Sequence, residues 1–293
     1  MSVTSSDGAG TLDTASVAGA RNERLRLLLK SPTFLAGFVT LLFWVGCALF
    51  GASLVPLDPY ADDLLNALSG PSADHWFGTD SLGRDIFSRV IVGARDILTM
   101  APLATLLGTV AGTALGLVTG YLRGIVDDVV GRFVEAILAL PLVIVALLAL
   151  VALGASNVTV VVVIGMVFAP IIARTVRSAV LLERELDYVA AARLRGENAL
   201  YIMFIEILPN VIPPILVEAT VRLGYAIFTV ATLSFLGFGI QPPSPDWGLA
   251  ISESYGLING GYWWTVLFSA IAIASLVVAV NLVADAIHGV FEA

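Results

Sequence analysis

The sequence predicts an all-α polytopic membrane protein with six transmembrane helices and both termini in the cytoplasm. Of its 293 residues, 58% are hydrophobic and only 13% are charged, and the mean hydropathy is +0.94. An ordinary soluble domain carries about a quarter charged residues. The apolar residues gather in runs close to the roughly 20 residues that a helix needs to cross a bilayer.

These runs place the six helices along the chain. The fourth run is short, so we expect its helix to extend to Val176 or beyond. The predicted spans are Phe34–Val55, Ile97–Gly120, Phe133–Leu153, Val158–Ile172, Val211–Phe235 and Trp263–Ile287.

The basic residues orient these spans. With the N-terminus inside, eleven of the fifteen Lys and Arg residues lie in inner segments, three lie in outer loops and Arg222 lies within a span. Inner loops of membrane proteins carry such an excess of positive charge. The outer loop 57–96 is acidic, with seven aspartates.

Residues 1–31 are predicted to form a disordered cytoplasmic tail. Up to about Ala20 the tail consists mostly of small and polar residues that cannot bury a core, and a basic cluster from Arg21 to Lys30 follows. A cleaved signal peptide or a lipoprotein is the alternative. The apolar run is too long for a signal peptide, and Val45-Gly46-Cys47 is a poor lipobox. Residues 32–293 are then the transmembrane domain.

The composition argues against enzyme chemistry in this chain. Its only lysine, Lys30, does not stand in the G-x-x-x-x-G-K-[ST] run of a phosphate-binding loop. The two histidines, His75 and His288, fall on opposite sides of the membrane and cannot share a metal, and no Gly-x-Ser-x-Gly motif is present. We therefore expect no catalytic residues, metal or cofactor, and any ATP must be hydrolysed by another chain.

The segment Arg174–Asn210 is charged and contains several alanines, and it separates the fourth and fifth spans. Leu181–Ala192 is rich in good helix formers, which predicts a helix on the inner membrane surface. Its small residues, Ala190, Ala191 and Ala192, and the Gly196 that comes after them allow another protein to approach this helix closely.

Two outer segments also carry recognisable patterns. In the first, Asp85–Asp96 has helical apolar periodicity and leads into the second span; on its own it fits a helix lying on the membrane surface. In the second, Pro242, Pro243 and Pro245 stop the fifth helix and stiffen the chain, and Trp247 is suited to anchor it at the interface. This second stretch is either a tight turn or a lid.

Taken in order, these motifs resemble the permeases of ABC importers. The inner segment is similar to their EAA loop in Tyr188-Val189-Ala190-Ala191-Ala192, Gly196 and Pro209-Asn210, with Ala190 replacing the usual glutamate. The outer segments resemble the C-type permeases of the dipeptide, oligopeptide and nickel importers. That resemblance lies in Gly78-Thr79-Asp80, Gly83-Arg84-Asp85, Ser88-Arg89, Leu233 to Pro243, Pro245, Trp247 and Gly248.

The resemblance covers about Phe34 to Gly289 and implies a type I ABC importer permease fold. It implies a subunit that forms half of the path for di- or oligopeptides or peptide-like cargo in the inner membrane of a prokaryote. The expected partners are a homologous B-type permease, two ATP-binding subunits, an extracytoplasmic substrate-binding protein and membrane lipid, but no nucleic acid. An ion-gradient-driven secondary transporter or channel is the alternative, although such proteins usually show internal repeats.

The resemblance also implies site residues. The coupling loop would be 177–210, with its helix at Asp187–Asn198. One face of this helix, formed by Tyr188, Ala191, Ala192 and Arg195, would be presented to the ATPase. The residues implied for ATPase coupling are Tyr188, Ala190, Ala191, Ala192, Arg195 and Gly196. Those implied for the outer loops 57–96 and 237–262, as an outer gate, are Gly83, Arg84, Asp85, Phe238, Pro242, Pro243 and Trp247.

Two further features rest on physical reasoning alone. Gly108, Gly112, Gly116 and Gly120 recur every four residues and predict a stripe that packs closely on another helix. Glu218 and Arg222 lie four residues apart inside the fifth span, in the favourable order for an ion pair. They either neutralise each other near the inner interface or line the translocation path.

Overall fold

The computed structural model describes residues 31–292, so the predicted tail and its basic cluster lie outside the described residues. Within this part the chain forms nine α-helices joined by loops and short 3-10 turns at Leu64–Asn66 and Tyr255–Gly260. The helices are α1 Pro32–Leu54, α2 Ile86–Leu122, α3 Ile125–Leu138, α4 Leu142–Leu153, α5 Asn157–Glu183, α6 Asp187–Leu194, α7 Ala199–Phe235, α8 Trp247–Ser254 and α9 Trp264–Glu292.

Five of these helices, α1, α2, α5, α7 and α9, are long and apolar enough to cross a membrane. The bent pair of α3 and α4 gives a sixth span if it is counted as one. The predicted all-helical membrane architecture is therefore confirmed. The orientation of the termini stays a prediction.

Polar side chains define where several helices begin. Ser31, Asp85, Ser156 and Asp246 each accept a hydrogen bond from a backbone N–H in the first turn of α1, α2, α5 and α8, respectively. Such caps satisfy donors that have no partner inside the helix. At Asp85 the cap lets the amphipathic segment 86–96 run without a break into the predicted second span. This segment is therefore part of α2 and not a separate helix on the membrane surface.

The predicted third span, Phe133–Leu153, is not one straight helix but part of a bent pair. The chain bends by 94° between α3 and α4, around Pro141. A proline has no N–H to donate to the preceding turn, and its ring clashes with the carbonyl four residues back. With 12 residues, α4 is about 18 Å long, too short to cross a bilayer alone.

The coupling loop is shorter than the predicted 177–210, because helices enter it from both sides. α5 continues to Glu183, and α7 begins at Ala199, where Asn198 accepts a hydrogen bond from Tyr201 N at 2.8 Å. A π-helical turn at Ile202–Ile207 ends two residues before Pro209, which lacks the N–H donor of a regular helical turn. Only residues 184–198 remain between the two long helices.

The most extensive helix contact in the bundle joins α2 to α5. A Cβ added at Gly112 would lie 2.7 Å from Ala169 O and from Ile172 Cβ, and one at Gly116 would lie 2.6 Å from Val176 Cβ. Gly108 and Gly120 meet α5 in the same way. All four glycines are buried. The predicted stripe is confirmed as a contact surface, and no larger side chain fits there.

We predict that Gly112→Leu destabilises the folded protein, whereas Val110→Leu does not. Leucine at 112 would overlap α5 and force the helices apart, at a cost of about 1–3 kcal/mol or more. Val110 lies on the opposite side of α2 and is 62% exposed. The measurement is the yield and melting temperature of each variant after detergent extraction. Equal behaviour of the two variants would contradict the close α2–α5 contact.

Candidate functional site

Most of the predicted site residues lie at the two ends of α2. This helix has 37 residues, so its ends are about 55 Å apart. Tyr121, in its last turn, contacts Arg193 of α6, and Val90, in its first turns, contacts Trp247 of α8. We name these the α6 end and the α8 end.

At the α6 end, α6 is a short helix that stops at a well-defined cap. Gly196 has φ +80°, a conformation that glycine adopts without strain. Its N–H donates to Arg193 O at 3.0 Å, and the N–H of Glu197 donates to Ala192 O at 3.2 Å. This is the Schellman arrangement. α6 therefore ends four residues before the predicted Asn198.

Two sets of contacts fix α6 to the bundle. The ring of Tyr121 lies near two guanidinium groups, with Arg184 at 5.8 Å and Arg193 at 5.4 Å from its centroid, and Arg184 also donates to the Tyr121 carbonyl. Tyr188 donates to Glu183 at 2.7 Å. Burial, and then this hydrogen bond, raise the pKa of Tyr188 to about 12. The phenol thus stays protonated as a donor at neutral pH.

The structure divides the predicted coupling residues between two faces of α6. Ala192 is fully buried beside Val189, and Tyr188 is half-buried. Ala190, Ala191, Arg195 and Gly196 are exposed. The prediction that Tyr188, Ala191, Ala192 and Arg195 form one docking face is therefore wrong, because α6 uses Val189 and Ala192 to pack on its own chain. A bulky residue at 192 would disturb the fold before it could affect docking.

Sequence reasoning missed three residues at this end. Leu194 is 90% exposed at the tip of α6, and its position four residues after Ala190 places it on the outward face. Arg184 and Arg193 hold α6 to α2 through Tyr121, a role that their positive charge alone does not indicate. For the two arginines, the sequence signal is the aromatic residue Tyr121 at the end of the second span, because an aromatic ring is a suitable partner for arginine.

At the α8 end, Gly83, Arg84 and Asp85 form a tight, buried turn. Gly83 has φ +78°, and a Cβ there would lie 1.8 Å from Asp63 O. The Arg84 guanidinium donates to Asp80 at 2.7 Å and to Glu253 at 3.1 Å. The carboxylate of Asp85 accepts from Ser88 N at 2.8 Å, and its other oxygen lies 3.0 Å from His75 Nδ1. The turn thus ties the first outer loop to α8.

Arg89 strengthens this connection from inside α2. One Nη atom donates to Pro59 O and the other to Ser244 O, both at 3.1 Å. Its side chain is only 4% exposed. It therefore joins both outer loops to α2, a role that its place in the sequence motif does not indicate.

Trp247 is not the interface anchor that the sequence suggested. The side chain is fully buried, donates from Nε1 to Val90 O at 2.8 Å and packs edge-on against Trp44 at 4.7 Å. Buried indoles need such an acceptor for their N–H. The loop that carries Trp247 leaves Pro242 and Pro243 exposed and Phe238 half-buried, so the exposed part of the predicted gate is its proline tip.

We predict that Asp246, which caps α8, makes stability depend on pH. Its burial raises the pKa of this carboxyl to about 6, from an ordinary value of 3.8. Because the fold favours the neutral form, its stabilising contribution is complete below about pH 4 and is lost as the pH rises through about 6.

Asp246→Asn keeps a capping side chain but removes this titration. The variant should therefore be more stable than the parent at pH 7.5, by about 1–3 kcal/mol, and the difference should shrink towards pH 5. Thermal melts of both proteins across this range provide the measurement. A difference that stays constant with pH would contradict the assignment.

Inside the bundle, Glu218 and Arg222 of α7 form an ion pair. Arg222 Nε donates to Glu218 Oε1 at 2.7 Å, and Thr175 of α5 donates to Glu218 Oε2 at 3.2 Å. The guanidinium lies 4.9 Å from the centroid of the Tyr225 ring. Both side chains are largely buried, at 15% and 17% exposed. The pairing that the spacing predicted is confirmed; contact with cargo stays a prediction.

We predict that Arg222→Ala lowers the amount of folded protein more than Arg95→Ala does. Removing one partner of a largely buried pair leaves a charge without compensation, which costs about 3–5 kcal/mol. Arg95 is an exposed arginine of α2 and serves as the control. Size-exclusion chromatography of fluorescent fusions measures the folded amount. Equal yields of the two variants would contradict a structural role for the pair.

The double variant Glu218→Ala/Arg222→Ala separates the two roles of this pair. It removes both charges and should restore the folded amount. Restored uptake as well would make the pair purely structural. If the double variant folds normally but its uptake of charged peptides stays impaired, the pair lines the translocation path.

Comparison with known proteins places these features in a family. Residues 112–293 match the family described as binding-protein-dependent transport system inner membrane component. The dipeptide transport system permease protein of Alkalihalophilus pseudofirmus is 37% identical over 92% of this chain and 88% of its own length. The glutathione transport system permease protein of Salmonella typhimurium is 40% identical over 87% and 84%, respectively.

The fold is shared with a solved transporter. A chain of the methionine ABC transporter in an inward-facing conformation superposes with a TM-score of 0.56 at 22% identity, covering 69% of this chain and 96% of that one. The family match covers more than half of the sequence, and the relatives align over about nine-tenths of it. The chain therefore belongs to the family of binding-protein-dependent transport system inner membrane components, as its resemblance to the C-type permeases predicted.

Proposed function

We propose that this chain is the permease subunit of an ATP-driven importer of di- or oligopeptides or peptide-like cargo. It would supply half of the translocation path, with Glu218 and Arg222 lining that path. Relatives named for dipeptide, di/tripeptide and glutathione transport support this cargo class. Each of those compounds is a short peptide or a peptide-like molecule.

The observation that carries the proposal is the outward face of α6. Ala190, Ala191 and Leu194 are exposed on a helix whose other face is fixed to the bundle through Val189 and Ala192. An exposed apolar tip on a well-anchored helix is suited to enter a groove on another protein. We infer that this partner is an ATP-binding subunit, and that two such subunits serve the complete transporter.

The other components follow from the same assignment. ATP would be bound by the partner subunits, because Lys30 stands outside any phosphate-binding loop, and this chain would need no cofactor of its own. A homologous B-type permease would complete the path. An extracytoplasmic substrate-binding protein would dock on the α8 end, above Pro242 and Pro243. The chain would lie in the inner membrane of a prokaryote, with its N-terminus on the cytoplasmic side.

We predict that Leu194→Glu weakens binding of the ATP-binding subunit at least tenfold, which corresponds to about 1.4 kcal/mol. The change places a charge where an apolar side chain would be buried. Leu65→Glu is the matched control, because Leu65 is 97% exposed in the first outer loop, far from α6. The measurement is the amount of ATP-binding subunit that co-purifies with each variant.

Ala191→Trp tests the same face by size. Leu194→Glu and Ala191→Trp should both insert and fold normally, since neither of the side chains they replace is buried in this chain. Retention of the ATP-binding subunit by both α6 variants, at the level of the Leu65→Glu control, would refute α6 as the docking helix.

A further inference from the structure

A groove of about 540 Å³ lies between α2, α3 and α5, in the half of the bundle nearer the α6 end, where Thr119 of α2 lines it. This volume is in the range of pockets for small molecules. Its apolar wall includes Leu115 of α2 and Leu138 of α3. The groove opens beside the 94° bend between α3 and α4.

One ion pair builds the wall of this groove. Arg177 of α5 donates to Asp127 of α3 through Nε at 2.6 Å and Nη2 at 2.7 Å, the two-point geometry that makes arginine–carboxylate pairs strong and directional. α3 has no buried residue. This pair therefore does much to hold α3 against α5 and to set the width of the groove.

Four other charged side chains line the groove without an ion-pair partner among residues 31–292. Asp128, Arg132 and Glu135 belong to α3, and Arg174 belongs to α5. The α3 residues follow the i, i+4, i+7 spacing of one helix face. Gly131 lies between them, and a Cβ added there meets no atom within 4 Å. The four charges sum to zero, with both signs facing the same space.

All four side chains are exposed, so they are available to pair with charges of the opposite sign on a ligand. A groove with two free acids and two free arginines does not favour a net anion or a net cation. It favours a dipolar molecule whose carboxylate pairs with an arginine and whose ammonium pairs with a carboxylate.

We infer that this groove binds the zwitterionic backbone of a short peptide, with the peptide carboxylate at Arg174 and the ammonium group at Glu135. The inference rests on the proposed function, because it assumes that peptides reach this part of the chain. It adds a subsite within a single permease subunit, separate from the Glu218–Arg222 pair of α7.

Cysteine protection tests the site without relying on transport. Cys47 is 4% exposed, so a cysteine introduced in place of Gly131 becomes the reactive thiol. The control is Ala136→Cys, at an exposed position of α3 that does not line the groove. Both variants are labelled with N-ethylmaleimide in membranes that contain the assembled transporter.

Alanyl-alanine should slow the labelling of Gly131→Cys at least threefold and leave Ala136→Cys unchanged. N-acetyl-alanyl-alanine amide, which has no charged ends, should protect neither cysteine. Adding Arg174→Gln or Glu135→Gln to Gly131→Cys should remove the protection by alanyl-alanine.

Two results would overturn the inference. If alanyl-alanine is taken up by the parent transporter but protects Gly131→Cys no better than Ala136→Cys, the groove is not a peptide site and the proposed function stands. If labelling without peptide is slow in phosphatidylethanolamine membranes and fast in phosphatidylglycerol membranes, the zwitterion is a lipid headgroup. Absence of ATP-dependent uptake by the parent would instead refute the proposed function itself.

Discussion

The close contact between α2 and α5 is the constraint on which the rest of the molecule depends. Lipid offers no hydrophobic drive for two apolar helices to associate, so backbone approach across small residues has to supply the attraction. On α2 this approach is provided by Gly108, Gly112, Gly116 and Gly120. The small residues that face them on α5 are Gly165, Ala169 and Ala173. The contact fixes α5, whose Thr175, Arg177 and Glu183 then position α7, α3 and α6, respectively.

The same contact makes α2 a rigid connection between two surfaces of different character. At one end, Tyr121 holds α6 through Arg184 and Arg193. At the other end, Arg89 and the Val90 carbonyl, which accepts a hydrogen bond from Trp247, hold the outer loops. By contrast, α3 buries none of its residues.

Sequence reasoning found the features that depend on local composition. The apolar runs located the spans, four-residue glycine spacing located the α2–α5 contact, and i, i+4 spacing located the Glu218–Arg222 pair. It failed where tertiary packing decides. No local pattern shows that Ala192 faces inward, that Trp247 is covered by Trp44, or that Arg184 and Arg193 meet Tyr121. In the last two cases the partners lie 60 or more residues apart in the chain. The bend at Pro141 was predictable, because a proline inside an apolar run marks a break.

The central claim is that this chain transports peptides only with the energy of ATP hydrolysed by another subunit. The most direct measurement is uptake of labelled alanyl-alanine into liposomes that contain the complete set of subunits, with the substrate-binding protein outside the liposomes and ATP inside them. The account predicts uptake that requires ATP and is abolished when the ATP-binding subunits are omitted or carry a disabled phosphate-binding loop. Uptake that continues without those subunits, driven by an imposed proton or sodium gradient, would contradict it.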